Sequence, residues 1–197
     1  MSSEAIETRE KILKATVRMI EDRGGSGVRM GAIAKAAGIS RQAVYLHFAS
    51  RLELLVATMQ YLGDVLNVDG RLAPSRAADT GVERLALYIE SLGYFIPEIY
   101  GVAKAMLLAQ DGDEAAAAAW KNRMLAMREG CHAAILALDA DGTLAKEWQV
   151  QQATDVLWTM LSVQNWEHLV HECGWSTQEY IEGIKTMANR TFVMQDK

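Results

Sequence analysis

The sequence predicts an all-α protein of about nine helices, with a small N-terminal helix-turn-helix domain followed by a larger helical domain. Apolar residues recur at spacings of three and four along most of the 197 residues, and no segment alternates apolar and polar residues as strands do. Capping-box patterns begin at Ser50, Thr80 and Ser176, and each marks a helix start. We therefore expect two domains, at residues 1–49 and 50–197.

The first helix is predicted over residues 3–22, where apolar side chains recur at helical spacing. It ends before two consecutive glycines, at positions 24 and 25. Arg9, Lys11 and Lys14 on this helix could contact phosphates, but an ordinary solvated face explains them better.

Two short helical patterns then meet across a tight turn within residues 30–55, which predicts a helix-turn-helix. Gly38 suits the positive φ at which helices commonly end, and Ser40 is a good N-cap for the second motif helix. Val44 and Phe48 lie four residues apart on the inward face of that helix.

The outward face of the second motif helix carries side chains that suit nucleic acid. Arg41, Gln42, Tyr45 and His47 are predicted to face out, and Arg and Gln match guanine and adenine edges in the major groove. Residues 31–52 contain three basic residues and no acid, within a chain of net charge −5. The N-terminal 60 residues carry a net charge of +3 and the remainder −8. Only the N-terminal region could therefore approach a phosphate backbone without general repulsion.

The later helices are predicted from caps, glycines and prolines. A fourth helix starts at Ser50 and reaches about Leu66, and residues 67–81 are expected to form a loop. The remaining expectations are a fifth helix broken by Gly93, a sixth from Pro97 to about Ala109, a turn at 111–113, a seventh from Glu114 to about Leu138, a turn at 139–143, an eighth to about Glu172, and a ninth after Ser176.

Other constellations have simpler structural explanations. His168, His171 and Cys173 lack a matched further metal ligand, and Cys131 and His132 point about 100° apart on a helix. Two cysteines are too few for a disulfide framework, no apolar leader opens the sequence, and no uncharged run approaches the roughly 18 residues of a membrane span. We therefore expect a cytoplasmic protein that is not an enzyme, with no metal and no cofactor.

The motif resembles the DNA-binding segment of the TetR family of transcriptional regulators. The resemblance lies in AIAKAAGISRQAVYLHFASRLELL, with its Ala-Gly-Ile-Ser turn, its Tyr-x-His-Phe ending and the Ser-basic-x-Glu-Leu that opens the next helix. It covers about the first third of the chain. Two residues depart from the pattern: Arg29 replaces the usual capping Ser or Thr, and Gly25 replaces an aromatic residue.

The resemblance implies a DNA-binding regulator, in most cases a repressor, that binds a palindromic double-stranded operator as a homodimer. Arg41 and Gln42 are expected to read base edges, while Tyr45, His47 and Arg51 contact phosphates. The full set of predicted DNA-binding residues is Arg29, Lys35, Ser40, Arg41, Gln42, Ala43, Tyr45, His47 and Arg51.

The eighth predicted helix is apolar nearly all round, which indicates that a second copy covers part of it. With the ninth helix it would form a four-helix interface between two copies. The residues expected in that interface are Trp166, Leu169, Ile181 and Ile184.

The excess of Met and aromatic residues in the larger domain is compatible with a site for a small apolar or aromatic effector, although core packing explains the same residues equally well. The predicted ligand-binding residues are Tyr94, Met106, Trp120, Met124, Met127, Trp158 and Asn165, with His132 and Gln151 as further polar candidates. Two alternatives remain open: a helical enzyme or interaction module with an incidental helix-turn-helix, and a TetR-like regulator without an effector.

Overall fold

The computed structural model describes residues 3–22, 29–109 and 114–195. Within these ranges the chain is helical and has no strand, only an isolated antiparallel bridge between Leu144 and Val193. The all-α prediction is confirmed. The helices are α1 (Ser3–Glu21), α2 (Met30–Ala37), α3 (Arg41–His47), α4 (Arg51–Val65), α5 (Val68–Arg76), α6 (Gly81–Ala109), α7 (Glu114–Ala140), α8 (Val150–Met160), α9 (Val163–Glu167), a π-helical segment (His168–Glu172) and α10 (Thr177–Phe192).

The chain folds as two compact units. The first comprises Met1–Leu66 and Ile99–Lys121, and the second comprises Asn67–Glu98 and Asn122–Lys197. These units do not coincide with the expected division at residues 49 and 50, because α4 packs on α1 within the first unit. The assignment of separate DNA-binding and effector-binding domains stays a prediction.

The first unit has a core built by α1 to α4 and the last part of α6. Ile12, Leu13 and Ile20 of α1 are buried, as the spacing of apolar residues predicted. Gly101 of α6 lies close to Ile20, where an added Cβ would approach the Ile20 side chain to 2.9 Å. This close packing brings α6 against the first helix inside the first unit.

The expected loop over residues 67–81 is wrong for most of its length, because residues 68–76 form α5. Asn67 adopts a left-handed conformation with φ 49°, and its side chain accepts a hydrogen bond from the Gly70 N–H at 3.2 Å. Arg71 makes two hydrogen bonds to the Glu98 carboxylate, and Ser75 donates to the Arg84 carbonyl at 2.9 Å. These contacts stabilise a helix that contains Pro74 and has poor intrinsic propensity.

The expected break between a fifth and a sixth helix is also wrong, because α6 continues through Gly93 and Pro97. Gly93 is needed in this helix because the Ile181 side chain occupies the place of a Cβ. Pro97 removes one helical hydrogen bond, but burial of neighbouring residues such as Leu92 and Ile96 outweighs that cost. By length and composition alone α6 could cross a membrane, with 39% of its most apolar window buried. However, two of its carboxylates, Glu90 and Glu98, pair with Lys185 and Arg71 of the same unit.

In the second unit, α7 starts and ends close to the predicted residues, and Gly142 with φ 68° forms the turn after it. The expected turn at 111–113 lies outside the described residues. The single eighth helix is wrong: α8 ends at Met160, and Ser162 then caps α9 by accepting from the Asn165 N–H at 3.2 Å. Residues 144–149 are not helical, since Leu144 bridges Val193 and Trp148 donates to the Thr191 carbonyl at 2.7 Å.

The last helix agrees with its prediction. Gly174 has φ 76°, and the Ser176 and Glu179 side chains form a complete capping box at the start of α10. Ser176 and its backbone hydrogen-bond the Glu179 carboxylate and lower its pKa. The buried face of α10 consists of Tyr180, Ile181, Ile184, Ala188 and Phe192.

Candidate nucleic-acid interface

The turn between α2 and α3 has the geometry that its sequence predicts. Gly38 lies at φ 69° and ψ 30°, and Ile39 donates to the Ala34 carbonyl at 3.0 Å. Ser40 caps α3, its hydroxyl accepting from the Ala43 N–H at 3.1 Å. Val44 is fully buried, so α3 is fixed by one apolar face and presents its other faces to solvent.

Arg29 begins α2 without a side-chain cap. Its backbone is extended, and only its carbonyl takes part, accepting from the N–H groups of Ala32 and Ile33. A Ser or Thr at such a position contributes about 1 kcal/mol, so the departure from the family pattern weakens the start of this helix.

The predicted DNA-binding residues lie on or beside an exposed α3 surface. Arg29, Lys35, Ser40, Arg41, Gln42, Tyr45 and Arg51 are exposed, whereas Ala43 and His47 are half-buried. The first turn of α3 contains no acidic residue. Its exposed start carries the Arg41 cation and the Gln42 amide. This pattern suits the reading of base edges in a groove.

Arg41 lies against the Tyr45 ring and close to Gly31. Its guanidinium carbon lies 5.6 Å from the centroid of the Tyr45 ring, one turn later on α3. On the other side, its Cδ atom lies 3.9 Å from the place of a Cβ on Gly31 of α2. Within the described residues, no carboxylate forms an ion pair with Arg41.

The start of α4 closes the motif. The Ser50 hydroxyl accepts from the Glu53 N–H at 3.0 Å, as the capping box predicts. The Glu53 carboxylate accepts from the Ala49 N–H at 2.7 Å, one residue before the expected donor. Both contacts fix the bend between α3 and α4, and Arg51 therefore sits at a defined helix start.

Arg9 has a packing role that the sequence did not reveal. Its guanidinium carbon lies 4.9 Å from the centroid of the Phe48 ring, and Phe48 is fully buried. Lys14 pairs with Glu10 at 2.8 Å. Residues 9 and 48 are far apart along the chain, so no local pattern could have indicated this cation–π contact between α1 and the end of the motif.

The predicted effector residues are divided between the two units. Met106 and Trp120 are buried in the first unit, and the other five belong to the second. Tyr94 is exposed and donates to Gln178 at 2.9 Å, while Asn165 is exposed and donates to the Thr159 carbonyl at 2.6 Å. Met124, Met127 and Trp158 are half-buried. Their role in a ligand site stays a prediction.

A groove of about 330 Å³ lies within the second unit, between α6 and α10. Its α6 side is apolar and its α10 side is polar, and it contains none of the predicted effector residues. Among the lining residues are Val82, Leu85, Ala86 and Ile89 of α6 and Lys185 and Arg190 of α10. Lys185 also forms ion pairs with Glu90 and Glu182, which raise the pKa of its ammonium group.

The predicted dimer residues are largely covered within one chain. Trp166, Ile181 and Ile184 are buried, and Leu169 is half-buried. Three of the four therefore contribute to the core of the second unit before any partner binds. Their place in an interface stays a prediction.

The candidate reactive residues have structural roles. Cys131 is buried beside the Tyr88 hydroxyl, which donates to the Met127 carbonyl at 2.9 Å, and Gly130 leaves room for that hydroxyl. Burial raises the pKa of the Cys131 thiol to about 12 and also raises the pKa of Tyr88. His168 pairs with Glu172 at 2.7 Å. In the described part of the chain, no three His, Cys, Asp or Glu side chains cluster as metal ligands.

Comparison with known proteins agrees with this geometry. Residues 12–58 match the family model for bacterial regulatory proteins of the tetR family. The chain is 28% identical over 113 residues to the transcriptional regulator CymR of Pseudomonas putida, and 45% identical over 51 residues to the regulator AcrR of Shigella flexneri. These matches cover 56% and 26% of this chain, and 55% and 24% of the two relatives. Both relatives are helix-turn-helix transcriptional regulators.

The likeness to solved structures covers nearly all of the chain. A structure of a transcriptional regulator from Saccharomonospora viridis in complex with choline has a TM-score of 0.82 and 17% identity, covering 96% of this chain and 99% of that one. A second structure of this fold, from Rhodococcus sp., has a TM-score of 0.70 and 22% identity, covering 94% of this chain and 98% of the other. At such identities the likeness shows the fold alone.

Proposed function

We propose that this chain is a transcriptional regulator of the TetR family, a repressor that binds a palindromic operator as a homodimer and is released by a small, mostly apolar ligand. Cytoplasmic localisation follows from that role. The observation that carries the proposal is the exposed α3 face, on which Arg41 and Gln42 stand at the first turn of a capped helix whose Val44 is buried.

The first experiment measures binding to the DNA that flanks the gene, by fluorescence anisotropy at two salt concentrations. Affinity should fall with salt, with a log–log slope of about −0.9 for each phosphate contacted, and flanking DNA should bind more tightly than scrambled DNA. Lys146→Ala removes an exposed cation of the second unit and serves as a matched control that retains binding. Equal binding to flanking and scrambled DNA would contradict an operator at that locus.

Base reading and phosphate contact are separable by substitution. Arg41→Ala should cost about 1–3 kcal/mol on the preferred site and relax its sequence, whereas Tyr45→Phe should weaken binding to all sequences alike. Selection from a randomised DNA pool measures both effects. If the Arg41→Ala protein selected the same site as the wild type, Arg41 would not read a base.

Homodimer formation is supported by the resemblance to the TetR family. A palindromic operator has two equivalent half-sites, and each half-site needs one recognition helix. Leu169→Asp is the sharpest variant, because Leu169 is half-buried while the other predicted interface residues are core residues. It should split the dimer and abolish operator binding, and Leu136→Asp on the exposed face of α7 should do neither. A wild-type monomer in sedimentation at micromolar concentration would refute the dimer.

An effector is supported by the choline complex of the Saccharomonospora viridis structure, which shows that a protein of this fold holds a small molecule. A tenfold release of DNA needs a ligand preference of only about 1.4 kcal/mol between two states. Thermal-shift screening should therefore cover apolar and aromatic compounds and quaternary ammonium compounds, followed by DNA release. A broad screen without a shift would favour a regulator that has no effector.

No observation favours the alternative of a helical enzyme with an incidental motif. The buried Cys131 thiol is held protonated, His132 Nδ1 lies 3.4 Å from the Thr154 hydroxyl, and His168 pairs with Glu172. The exposed face of α3 is therefore the feature on which the proposed function rests.

A further inference from the structure

We propose that the Tyr45 ring is a positioning element for Arg41, and that the pair Arg41–Tyr45 sets the specificity of α3 at one base pair. This inference rests on the proposed function, because it concerns how the DNA-binding face reads sequence. It gives the ring of Tyr45 a role that is separate from any phosphate contact of its hydroxyl.

The geometry places the Arg41 side chain between two helices. The guanidinium carbon lies 5.6 Å from the centroid of the Tyr45 ring, and the Cδ atom lies 3.9 Å from the place that a Cβ would take on Gly31 of α2. Residues 41 and 45 share one face of α3, since they are four apart. The contact with the ring restricts the conformers that the Arg41 guanidinium can adopt.

This arrangement gives the free protein only the small stabilisation of an exposed cation–π contact. A cation at the first turn of a helix opposes the positive end of the helix dipole, and no carboxylate of the described residues pairs with Arg41. Both Arg41 and Tyr45 are exposed, so their contact buries little apolar surface. A cation that lies against a ring on an exposed face, with no carboxylate competing for its donors, therefore suits a partner that supplies acceptors.

A planar guanidinium fork reads guanine through two parallel hydrogen bonds, and their strength depends on its orientation. Holding the fork before binding reduces the rotamer freedom lost on the DNA. Gln42 differs, because the described residues show no such contact for it. We therefore assign Tyr45-dependent discrimination to the base pair read by Arg41 and not to the one read by Gln42.

The test is a set of double-mutant cycles with Tyr45→Leu and Tyr45→Phe, each combined with Arg41→Ala and with Gln42→Ala. Binding is measured on the selected site and on sites with single base-pair changes. Tyr45→Phe keeps the ring and should keep discrimination at the base pair read by Arg41. Tyr45→Leu should reduce that discrimination about two- to tenfold. It should have no further effect in the Arg41→Ala background, and its effect should combine independently with that of Gln42→Ala.

The outcomes separate this inference from the proposed function. A wild type without any sequence preference would refute both. A wild type with a preference that Tyr45→Leu leaves intact, while affinity falls equally for all sites, would overturn only the positioning role. Equal loss of discrimination in Tyr45→Phe and Tyr45→Leu would also overturn it, because the hydroxyl and not the ring would then be responsible. Circular dichroism melting confirms that each variant is folded.

Discussion

The helix-turn-helix and the second unit use their polar side chains in opposite ways. In the second unit, cations meet carboxylates of the same unit: Arg71 with Glu98, Arg128 with Asp155, and Lys185 with Glu90. On α3, Arg41 contacts the Tyr45 ring, and among the described residues it has no carboxylate partner and the Gln42 side chain makes no hydrogen bond.

The difference distinguishes polar groups that stabilise the folded chain from polar groups that remain available to a binding partner. A surface ion pair contributes about 0–1 kcal/mol to folding, so closing such pairs costs a protein little. Leaving Arg41 without a carboxylate keeps its donors available for acceptors outside the chain. The three experiments below challenge this contrast, beginning with the largest expected effect.

Phe48→Ala tests whether the motif is stabilised by its apolar core. Phe48 is fully buried beneath the Arg9 guanidinium, so truncation should lower the free energy of unfolding by about 3–5 kcal/mol. Leu46→Ala is the matched control on the same helix, because Leu46 is 82% exposed. Urea unfolding measures both variants. Equal stability of the two would mean that α3 does not depend on this core.

Tyr180→Phe tests a buried polar group of the second unit, the Tyr180 hydroxyl, which departs from the pairing described above. The Tyr180 hydroxyl is fully buried and has no hydrogen-bond partner among the described residues, and burial raises its pKa. Removing an unsatisfied hydroxyl should stabilise the protein by about 1 kcal/mol, as an increase in the urea midpoint. Destabilisation by a similar amount would show instead that a water or another group satisfies this hydroxyl.

Arg128→Ala and Arg41→Ala compare a paired cation with an unpaired one. Arg128 bonds Asp155 at 2.7 Å, but the Asp155 side chain is 54% exposed, so its loss should cost no more than about 1 kcal/mol of stability. DNA binding by this variant should be unchanged. Arg41→Ala should show the reverse: unchanged stability within about 0.5 kcal/mol and weakened DNA binding. The contrast fails if Arg41→Ala is the less stable variant.

Elements with local signals could be predicted from the sequence, and elements that depend on distant contacts could not. The α2–α3 turn needs only Gly38 and Ser40, and α10 starts at a capping box of adjacent residues. By contrast, α5 is stabilised through Arg71 and Glu98, which are 27 residues apart. The continuity of α6 likewise depends on α10, whose Ile181 packs against Gly93.

The same division applies to the candidate sites. The exposed residues of α3 follow from helical periodicity, so most of the predicted DNA-binding side chains are accessible. The groove between α6 and α10 joins segments about 100 residues apart, and no spacing within either helix indicates it. The sequence also could not show that Ile181 and Ile184 are buried within one chain. An apolar helix face has the same sequence pattern whether its own chain or a second copy covers it.

Gly38, the left-handed glycine of the α2–α3 turn, also determines which substitutions the motif can accept during evolution. Around Gly38 there is open space for a Cβ, so backbone conformation alone restricts the alternatives, and Asn should be the best tolerated replacement. At Gly130 a Cβ would collide with Tyr88, so tolerance there should follow side-chain volume. The exposed side chains of α3 can therefore change while residue 38 alternates between very few amino acids.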